Sequence, residues 1–450
     1  MIDIILSQIK KIVPKSVFKL IQPLYHHALA LLSAFIYGYP SEKMIVIGVT
    51  GTAGKSSTCY FISQILESCG FRVGMTTTTL FKIGAKEWLN DRKMTMLGRF
   101  QTQKFLKDMI KAGCQVAIIE TSSQGIEQFR HVGINYDVLV FTNLYPEHIE
   151  AHGGFENYKK AKGKLFAYLM TTTPKKQLTE LKIEIKKTII VNLDNEYAEY
   201  FLGFPADEKM GYMVANKTIA SSRYQLASIS ADNIHQKNNF ISADIQHSIF
   251  NIPLLGIYNI YNVLAAICVA KVFYLEKTQI KNAVEKLKPL PGRMEFIENN
   301  RNLKIIVDYA FEPKALTNLY QTIKDLPHKK IIHILGSTGG GRDKARRPVL
   351  GRIAAENADL IIVTNEDPYD EQPEQIINEV AAGAEELIDS KQKNKVLKIL
   401  DRREAINQAL LLAEPGDLVL ITGKGAEQAI CIADGKKISW DDRKVVKELI

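Results

Sequence analysis

Cysteine is scarce. The 450 residues hold five (Cys59, Cys69, Cys114, Cys268, Cys431), and no two stand at C-x-x-C spacing. That argues against a disulfide framework and against a zinc site, and makes a reducing cytoplasm the expected compartment. Long apolar runs are also missing. The longest, residues 24–39 (LYHHALALLSAFIYGY), has 16 residues and carries His26 and His27, short of the ~20 that a spanning helix needs. No small-residue cleavage site marks a signal peptide. Low-complexity segments and repeats of solenoid period are absent. The basic excess is mild, +9 with a pI near 9.0, and lacks the interleaved aromatics of a stacking platform. No nucleic-acid partner is expected. A phosphate-handling enzyme fits that charge.

What is present is ordinary globular composition, 46% hydrophobic and 24% charged, long enough for two or three domains. Lys10, Lys11, Lys15 and Lys19 precede the apolar run. Residues 1–43 are therefore expected to hold a helix that packs on the protein itself, with membrane-surface contact as the alternative. From 44 the pattern changes. MIVIGV is a β-branched run, followed by a glycine-rich turn and the helical stretch Lys55–Ser68. Further strands are expected at Gln115–Ile119, Val138–Thr142 and Thr188–Asn192, with helices at Phe100–Ala112 and Phe155–Leu169. Alternating β and α predicts a mostly parallel sheet covered by helices. Residues 205–255 read as an antiparallel subregion, followed by helices near 259–274 and 278–287. Pro289-Leu-Pro-Gly292 is a joint. Beyond it, strands at 303–308, 330–335, 359–364 and 417–422 alternate with helices at 313–325, 345–357, 373–388 and 402–413. The fold class is α/β: a central P-loop domain over 44–291 and a Rossmann-like domain over 292–450.

The strongest local motif is Gly48-Val-Thr-Gly-Thr-Ala-Gly-Lys-Ser-Ser57. A strand feeds a glycine-rich turn, and Lys-Ser opens a helix. Backbone N–H groups of such a turn cradle phosphates. Lys55 would reach the β/γ-phosphates and the Ser56 hydroxyl would ligate Mg²⁺. A P-loop alone fits a kinase, a translocase, a GTPase or a ligase.

Further segments narrow the choice. Gly51-Thr-Ala-Gly-Lys-Ser-Ser57 resembles the GTxGKTT loop of the Mur ligase family, the ATP-dependent amino-acid ligases of peptidoglycan synthesis. Glu120-Thr-Ser-Ser-Gln-Gly125 resembles its ExSSHG segment. Thr142-Asn-Leu-Tyr-Pro-Glu-His-Ile-Glu-Ala-His-Gly153 resembles TNLxxDHLDYHG, and Tyr158-Lys-Lys-Ala-Lys162 matches the segment whose last lysine is carbamylated there. Gly256–Asn262 resembles GxxNxxN, Gly292-Arg-Met-Glu295 is GRME, and Asp308–Pro313 resembles DYAHTP. Gly336–Pro348, Thr364–Pro368 and Gly423–Glu427 continue the series. The resemblance runs in order over about 44–450 and is closest to the branch that adds the third stem-peptide residue.

The resemblance implies a reaction: carboxylate plus ATP plus amine gives amide, ADP and phosphate through an acyl phosphate. It also implies roles. Gly51, Thr52, Gly54, Lys55, Ser56, Ser57 and Asn143 would hold the phosphates of ATP. Asn259, Asn262, Arg293 and Asp308 would meet the rest of the nucleotide. Ser56, Glu120, His148 and carbamylated Lys162 would hold Mg²⁺; Lys55, Glu120, His148 and Lys162 form the expected catalytic set. Ser122 and Arg130 would contact a muramoyl-peptide-like acceptor, Asp367 and Glu427 the incoming amino acid. A monomer is expected. A folylpolyglutamate- or poly-γ-glutamate-type ligase and a non-catalytic nucleotide-binding partner in cell-wall assembly are the alternatives.

Four departures stand out. Tyr369 replaces the Arg of DNPR and cannot make a bidentate carboxylate pair, which leaves the added amino acid open. Gln124, Phe311 and Ala426 replace family histidines. Glu147 replaces an Asp. Only 43 residues precede the first strand, too few for the family's UDP-binding domain.

Overall fold

A computed structural model describes residues 15–146, 152–175, 184–214, 226–237, 239–341, 343–387 and 395–450. Helix α1 spans Lys15–Tyr37. The first α/β unit then follows as β1 (Ile45–Thr50), α2 (Lys55–Ser68), β2 (Val73–Thr76), β3 (Leu80–Ile83), β4 (Lys86–Leu89), α3 (Arg99–Lys111), β5 (Val116–Glu120), α4 (Ser123–Glu127), β6 (Val138–Phe141), α5 (Phe155–Leu169), β7 (Thr188–Asn192), α6 (Ala198–Leu202), β8 (Glu208–Val214), β9 (Ala227–Gln236), β10 (Ile241–Ile245) and β11 (Ile249–Ile252), closed by α7 (Asn259–Val272) and α8 (Lys277–Val284). The second continues with β12 (Glu295–Ile297), β13 (Lys304–Val307), α9 (Pro313–Ile323), β14 (Ile331–Leu335), α10 (Arg346–Asn357), β15 (Leu360–Thr364), α11 (Pro373–Glu385), β16 (Lys395–Ile399), α12 (Arg402–Leu412), β17 (Leu418–Ile421), β18 (Ala429–Cys431), β19 (Lys437–Ser439) and α13 (Asp442–Leu449).

The first sheet has the order β11-β10-β9-β8-β7-β6-β1-β5-β2-β3-β4. β1, β5, β6 and β7 are buried throughout, as a parallel sheet covered on both faces demands. One face packs α2, α7 and α8 around residues such as Phe61, Ile65 and Leu264. The other packs α3, α5 and α6 around Leu106, Phe166 and Phe201. The expected antiparallel subregion is narrower than 205–255. β8 runs parallel to β7, and β9 parallel to β8; only β9-β10-β11 is antiparallel. The polar alternation there marks strands exposed on one face, which either direction allows.

The second sheet has the order β12-β13-β17-β14-β15-β16, parallel except for β12. Both faces carry helices, with separate cores around Leu350 and Ile377 and around Ile406 and Val446. Gly292 lies at the joint with φ +66°, and a Cβ there would stand 2.1 Å from the Ala426 nitrogen. Only glycine fits that approach.

Ligands of open α/β sheets bind beyond the carboxyl ends of the strands. β1 lies between β5 and β6, so the loops after these three strands meet at one edge.

Candidate active site

The turn after β1 is rigidly braced. Ala53 N–H donates to Asn143 Oδ1 at 2.9 Å, Thr142 Oγ1 donates to the Ala53 carbonyl at 2.7 Å, and Thr52 N–H donates to the Asn143 carbonyl at 2.9 Å. Gly54, at φ +79°, opens α2, and a Cβ there would stand 2.4 Å from Asn262 Oδ1. Asn262 Oδ1 accepts from Thr58 Oγ1 at 3.2 Å, and its Nδ2 donates to Asn259 Oδ1 at 3.0 Å. Asn262, held by Asn259 three residues earlier on α7, thus presses against the phosphate turn from the opposite helix. No side chain caps α2, so its first N–H groups face the turn, where an anion is favoured.

Lys55 folds back onto its own turn, with Nζ 2.8 Å from the Thr52 carbonyl and 3.2 Å from that of Gly51. Ser56 Oγ donates to Glu120 Oε2 at 2.6 Å. Glu120, at the end of β5, also accepts Thr78 N–H at 2.7 Å and Thr78 Oγ1 at 2.9 Å. The carboxylate is 2% exposed, and these donors fix its orientation.

Lys162 is buried on α5. Its Nζ donates to the Gly51 carbonyl at 2.7 Å and lies 4.5 Å from the centre of the Tyr158 ring. Burial pushes its ammonium well below the usual lysine range, Lys55 pushes it the same way, and Glu120 opposes them weakly. Burial therefore favours loss of the proton at this amine beside the phosphate turn. The Tyr158 hydroxyl meets Thr52 Oγ1 at 3.1 Å.

From the second sheet, Arg293 lays its guanidinium 4.3 Å from the centre of the Tyr309 ring. Asp308 accepts Met294 N–H and Ala310 N–H, both at 2.7 Å. Burial raises its carboxyl pKa against the pull of Arg293 and those two bonds.

The expected amino-acid pocket is a ring of four charges. Lys424 Nζ lies 2.9 Å from Asp367 Oδ1 and 2.7 Å from Glu427 Oε2. Lys93, from the loop after β4 of the first sheet, crosses between domains and places Nζ 2.6 Å from Asp367 Oδ2 and 3.0 Å from Glu427 Oε2. Cys431 N–H adds a bond of 2.7 Å to Asp367 Oδ1. Burial raises the Asp367 pKa, but Lys424 and Lys93 outweigh it and hold the carboxyl below its usual range. Two carboxylates meet two ammoniums, so the ring is neutral.

Apart from Lys424, which is fully buried, the charged side chains named above line one cleft of about 650 Å³ between the two domains. Every site residue singled out from the sequence lines it except His148, which falls in 147–151, outside the described residues. Ser57 contributes to the wall. Ser122 Oγ accepts Gly125 N–H at 3.2 Å and so caps α4. The Arg130 guanidinium donates to the Met96 carbonyl and still faces the cleft. Tyr369 lies on the wall near Asp367, its hydroxyl pushed up to about 12 by burial first and Asp367 second. Lys344 and Arg347, basic residues of the 336–348 loop, turn elsewhere: Arg347 is fully buried against Glu371 and Glu379, and Lys344 pairs with Glu371. Thr78, Lys93 and Lys424 were not legible as site residues. Lys424 lies inside a motif segment, but Lys93 is contributed by an unremarkable loop.

Among the described residues no three His, Cys, Asp or Glu side chains converge as a metal cage. Ser56 Oγ and Glu120 Oε2 are nevertheless hard oxygen donors side by side. Mg²⁺ typically takes one or two such protein oxygens and completes its shell with phosphate and water. The donor chemistry therefore fits Mg²⁺ with a bound nucleotide.

Comparison with known proteins agrees with this geometry. The Mur ligase middle domain matches residues 49–270, and the Mur ligase glutamate ligase domain matches 292–425. A UDP-N-acetylmuramyl-tripeptide synthetase of Roseiflexus sp. strain RS-1 is 34% identical over 443 residues, covering 94% of this chain and 82% of that protein. A solved structure of UDP-N-acetylmuramoyl-L-alanyl-D-glutamate–2,6-diaminopimelate ligase is 29% identical, with TM-score 0.58 over 90% of this chain and 78% of that one. Folylpolyglutamate synthase of Mycobacterium tuberculosis, complexed with ADP and AMPPCP, shares the fold at 16% identity, TM-score 0.64, over 90% of this chain and 93% of that one. Two domain matches in order and a relative at this identity over nearly the whole chain place the protein in the Mur ligase family.

Proposed function

We propose that the chain is an ATP-dependent ligase that joins an amino acid to a muramoyl-dipeptide acceptor in the cytoplasm, in peptidoglycan precursor synthesis. One observation carries this reading. A braced phosphate turn, a buried carboxylate and a carboxylate–ammonium ring from the other domain face a single cleft. Three reactants must meet in such a reaction, and the cleft joins the elements for each.

A carboxylate is a poor electrophile until it is phosphorylated. In the proposed reaction the γ-phosphoryl of ATP passes to the acceptor carboxylate, the amine attacks the resulting acyl phosphate, and phosphate leaves. Lys55 and the N–H groups of the turn bind and orient the phosphates. Ser56 and Glu120 would hold Mg²⁺, which would supply positive charge near the phosphates. Arg130 and Ser122 orient the acceptor's carboxylate end. Asn259, Asn262 and Arg293 position the nucleoside. Burial favours the free amine of Lys162, the form that carbamylation by CO₂ requires; its nitrogen bonds to the CO₂ carbon, a proton leaves, and the side chain becomes an anionic carbamate. Asp367 and Glu427 hold the incoming ammonium once Lys93 or Lys424 gives way.

The test is phosphate release from ATP and Mg²⁺ with UDP-MurNAc-L-Ala-D-Glu across a panel of amino acids, with product mass read in parallel. Release that needs both the acceptor and one amino acid is expected, and Lys55→Ala abolishes it. No turnover with any amino acid, while ATP still binds, refutes the assignment. Likeness to folylpolyglutamate synthase rests on fold alone; ligation of glutamate to folate, but not to the muramoyl acceptor, would favour that reading.

A further inference from the structure

Helix α1 packs inside out. Its buried residues are small: Ala30, Ser33 and Ala34 lie against the body of the protein. Contact is so close that a Cβ on Gly133 would stand 2.9 Å from the Ala34 Cβ. Large side chains point the other way. Leu24 is 73% exposed, Phe35 67% and Ile36 53%, and Leu31 and Leu32 are both more than two-fifths exposed. Positions 24, 28, 31, 32 and 35 fall on one face at helical spacing. A surface helix that packs only for its own stability does the reverse, burying leucine and showing alanine.

The sequence that leads into this ridge is one-sided in charge. Residues 1–41 contain four lysines (Lys10, Lys11, Lys15, Lys19), no arginine, and a single acid, Asp3. The large exposed side chains of this ridge are apolar, whereas protein partners are specified by a polar rim around an apolar centre. It is also not a span: among the described residues no helix is long and apolar enough to cross a membrane. An apolar helix face preceded in sequence by basic residues matches the boundary of an anionic bilayer, where acyl chains take the first and headgroups attract the second.

We propose that α1 is an interfacial helix that seats this protein on an anionic lipid surface. Leu24, Leu31, Leu32, Phe35 and Ile36 enter the acyl boundary, and the lysine-rich stretch contacts headgroups. Neither signal suffices alone, so binding needs both and weakens with salt.

The experiment is flotation of the full chain with vesicles of phosphatidylglycerol and phosphatidylcholine in equal parts, and with phosphatidylcholine alone. The chain is expected to float with the mixed vesicles, less with phosphatidylcholine, and less again in high salt. Leu32→Asp with Phe35→Asp is expected to cut the bound fraction about tenfold or more, with Tm and ATP hydrolysis unchanged because both side chains face solvent. Leu24→Asp, at the most exposed of the apolar positions, gives an independent loss. Lys10→Gln with Lys11→Gln and Lys15→Gln reduces binding to the mixed vesicles only. Absence of flotation with either vesicle overturns the proposal. So does flotation unchanged by Leu32→Asp with Phe35→Asp, and so does a dimer in light scattering that Phe35→Asp dissociates without any vesicle binding.

Discussion

Replacing Lys93 by Met tests how the two halves of the site are joined. Lys93 Nζ, on a side chain 7% exposed, is shared by Asp367 at 2.6 Å and Glu427 at 3.0 Å. Methionine keeps most of the volume and removes the charge. The ring then holds two carboxylates and one ammonium, a net charge of −1 in a buried place. Breaking a buried pair by removing one partner costs ~3–5 kcal/mol. Lys424 remains on both carboxylates and the cleft admits water, so the lower end applies, ~3 kcal/mol. The same change creates a vacancy for a cation. An amino acid with a second ammonium fills it; one without does not. Urea unfolding of Lys93→Met should therefore show the loss without ligand. Lysine at about ten times its Kd should restore ~1.4 kcal/mol, and norleucine, which has the chain length of lysine but no distal ammonium, nothing. Equal rescue by lysine and norleucine would refute the view that Asp367 and Glu427 take a distal ammonium. An unchanged midpoint would show that the ring does not hold the domains together.

Three further outcomes follow. Glu120→Gln can keep the bonds from Ser56 and from Thr78 N–H, reverses the one with Thr78 Oγ1, and removes the anion beside Ser56; ligation should fall at least ~100-fold with the Mg²⁺ requirement shifted to higher concentration, read as rate against Mg²⁺. Lys162→Met should abolish a carbamate carbon signal in ¹³C-bicarbonate NMR of the wild type and lower ligation; a wild type without that signal refutes carbamylation. Burial lowers the His333 pKa from about 6.5 to about 3, with the Arg402 charge adding to it, while Tyr320 and Thr422 hydroxyls hold the neutral ring at 2.7 and 2.9 Å. The unfolded chain takes up this proton first, so stability falls as pH drops from about 6.5 toward 3, by ~1.4 kcal/mol per pH unit at most. NMR at pH 5 should find His333 neutral, and a protonated ring there would contradict the burial argument.

The parallel sheets were legible because their strands are short β-branched runs separated by strongly periodic helices. Thr188–Asn192 and Phe155–Leu169 stand where the sequence placed them. The strands β2, β3 and β4 were not legible, because two of them carry charged or exposed residues and only pairing defines them. The same holds for β18 and β19, three residues each. Motif residues converge on the cleft because the ends of β1, β5 and β6 are neighbours, which topology dictates. Lys93 was invisible for the opposite reason. Its partners lie more than 270 residues away, and nothing local distinguishes it from Arg92.

The two halves of the cleft are built by different means. The half around the phosphate turn is fixed mainly by backbone hydrogen bonds and neutral amides: Asn143 on the turn and Asn262 against Gly54. Such contacts change little with charge state or ionic strength, so this half is preformed. The other half is held by a ring of four charges, of which one, Lys93, belongs to the opposite domain. Any substrate ammonium that competes for Asp367 and Glu427 competes with Lys93, and so with the link between the domains. Binding of a diamino acid and separation of the domains are then coupled by one set of carboxylates, and by reciprocity closure of the domains weakens the hold on a second ammonium. Gly292, pinned by φ and by its contact with Ala426, sits where such a motion would turn. On the proposed reading, an amino acid without a distal charge would leave Lys93 in place, and Lys93 would select the added residue as much as Tyr369, which stands where the family has arginine.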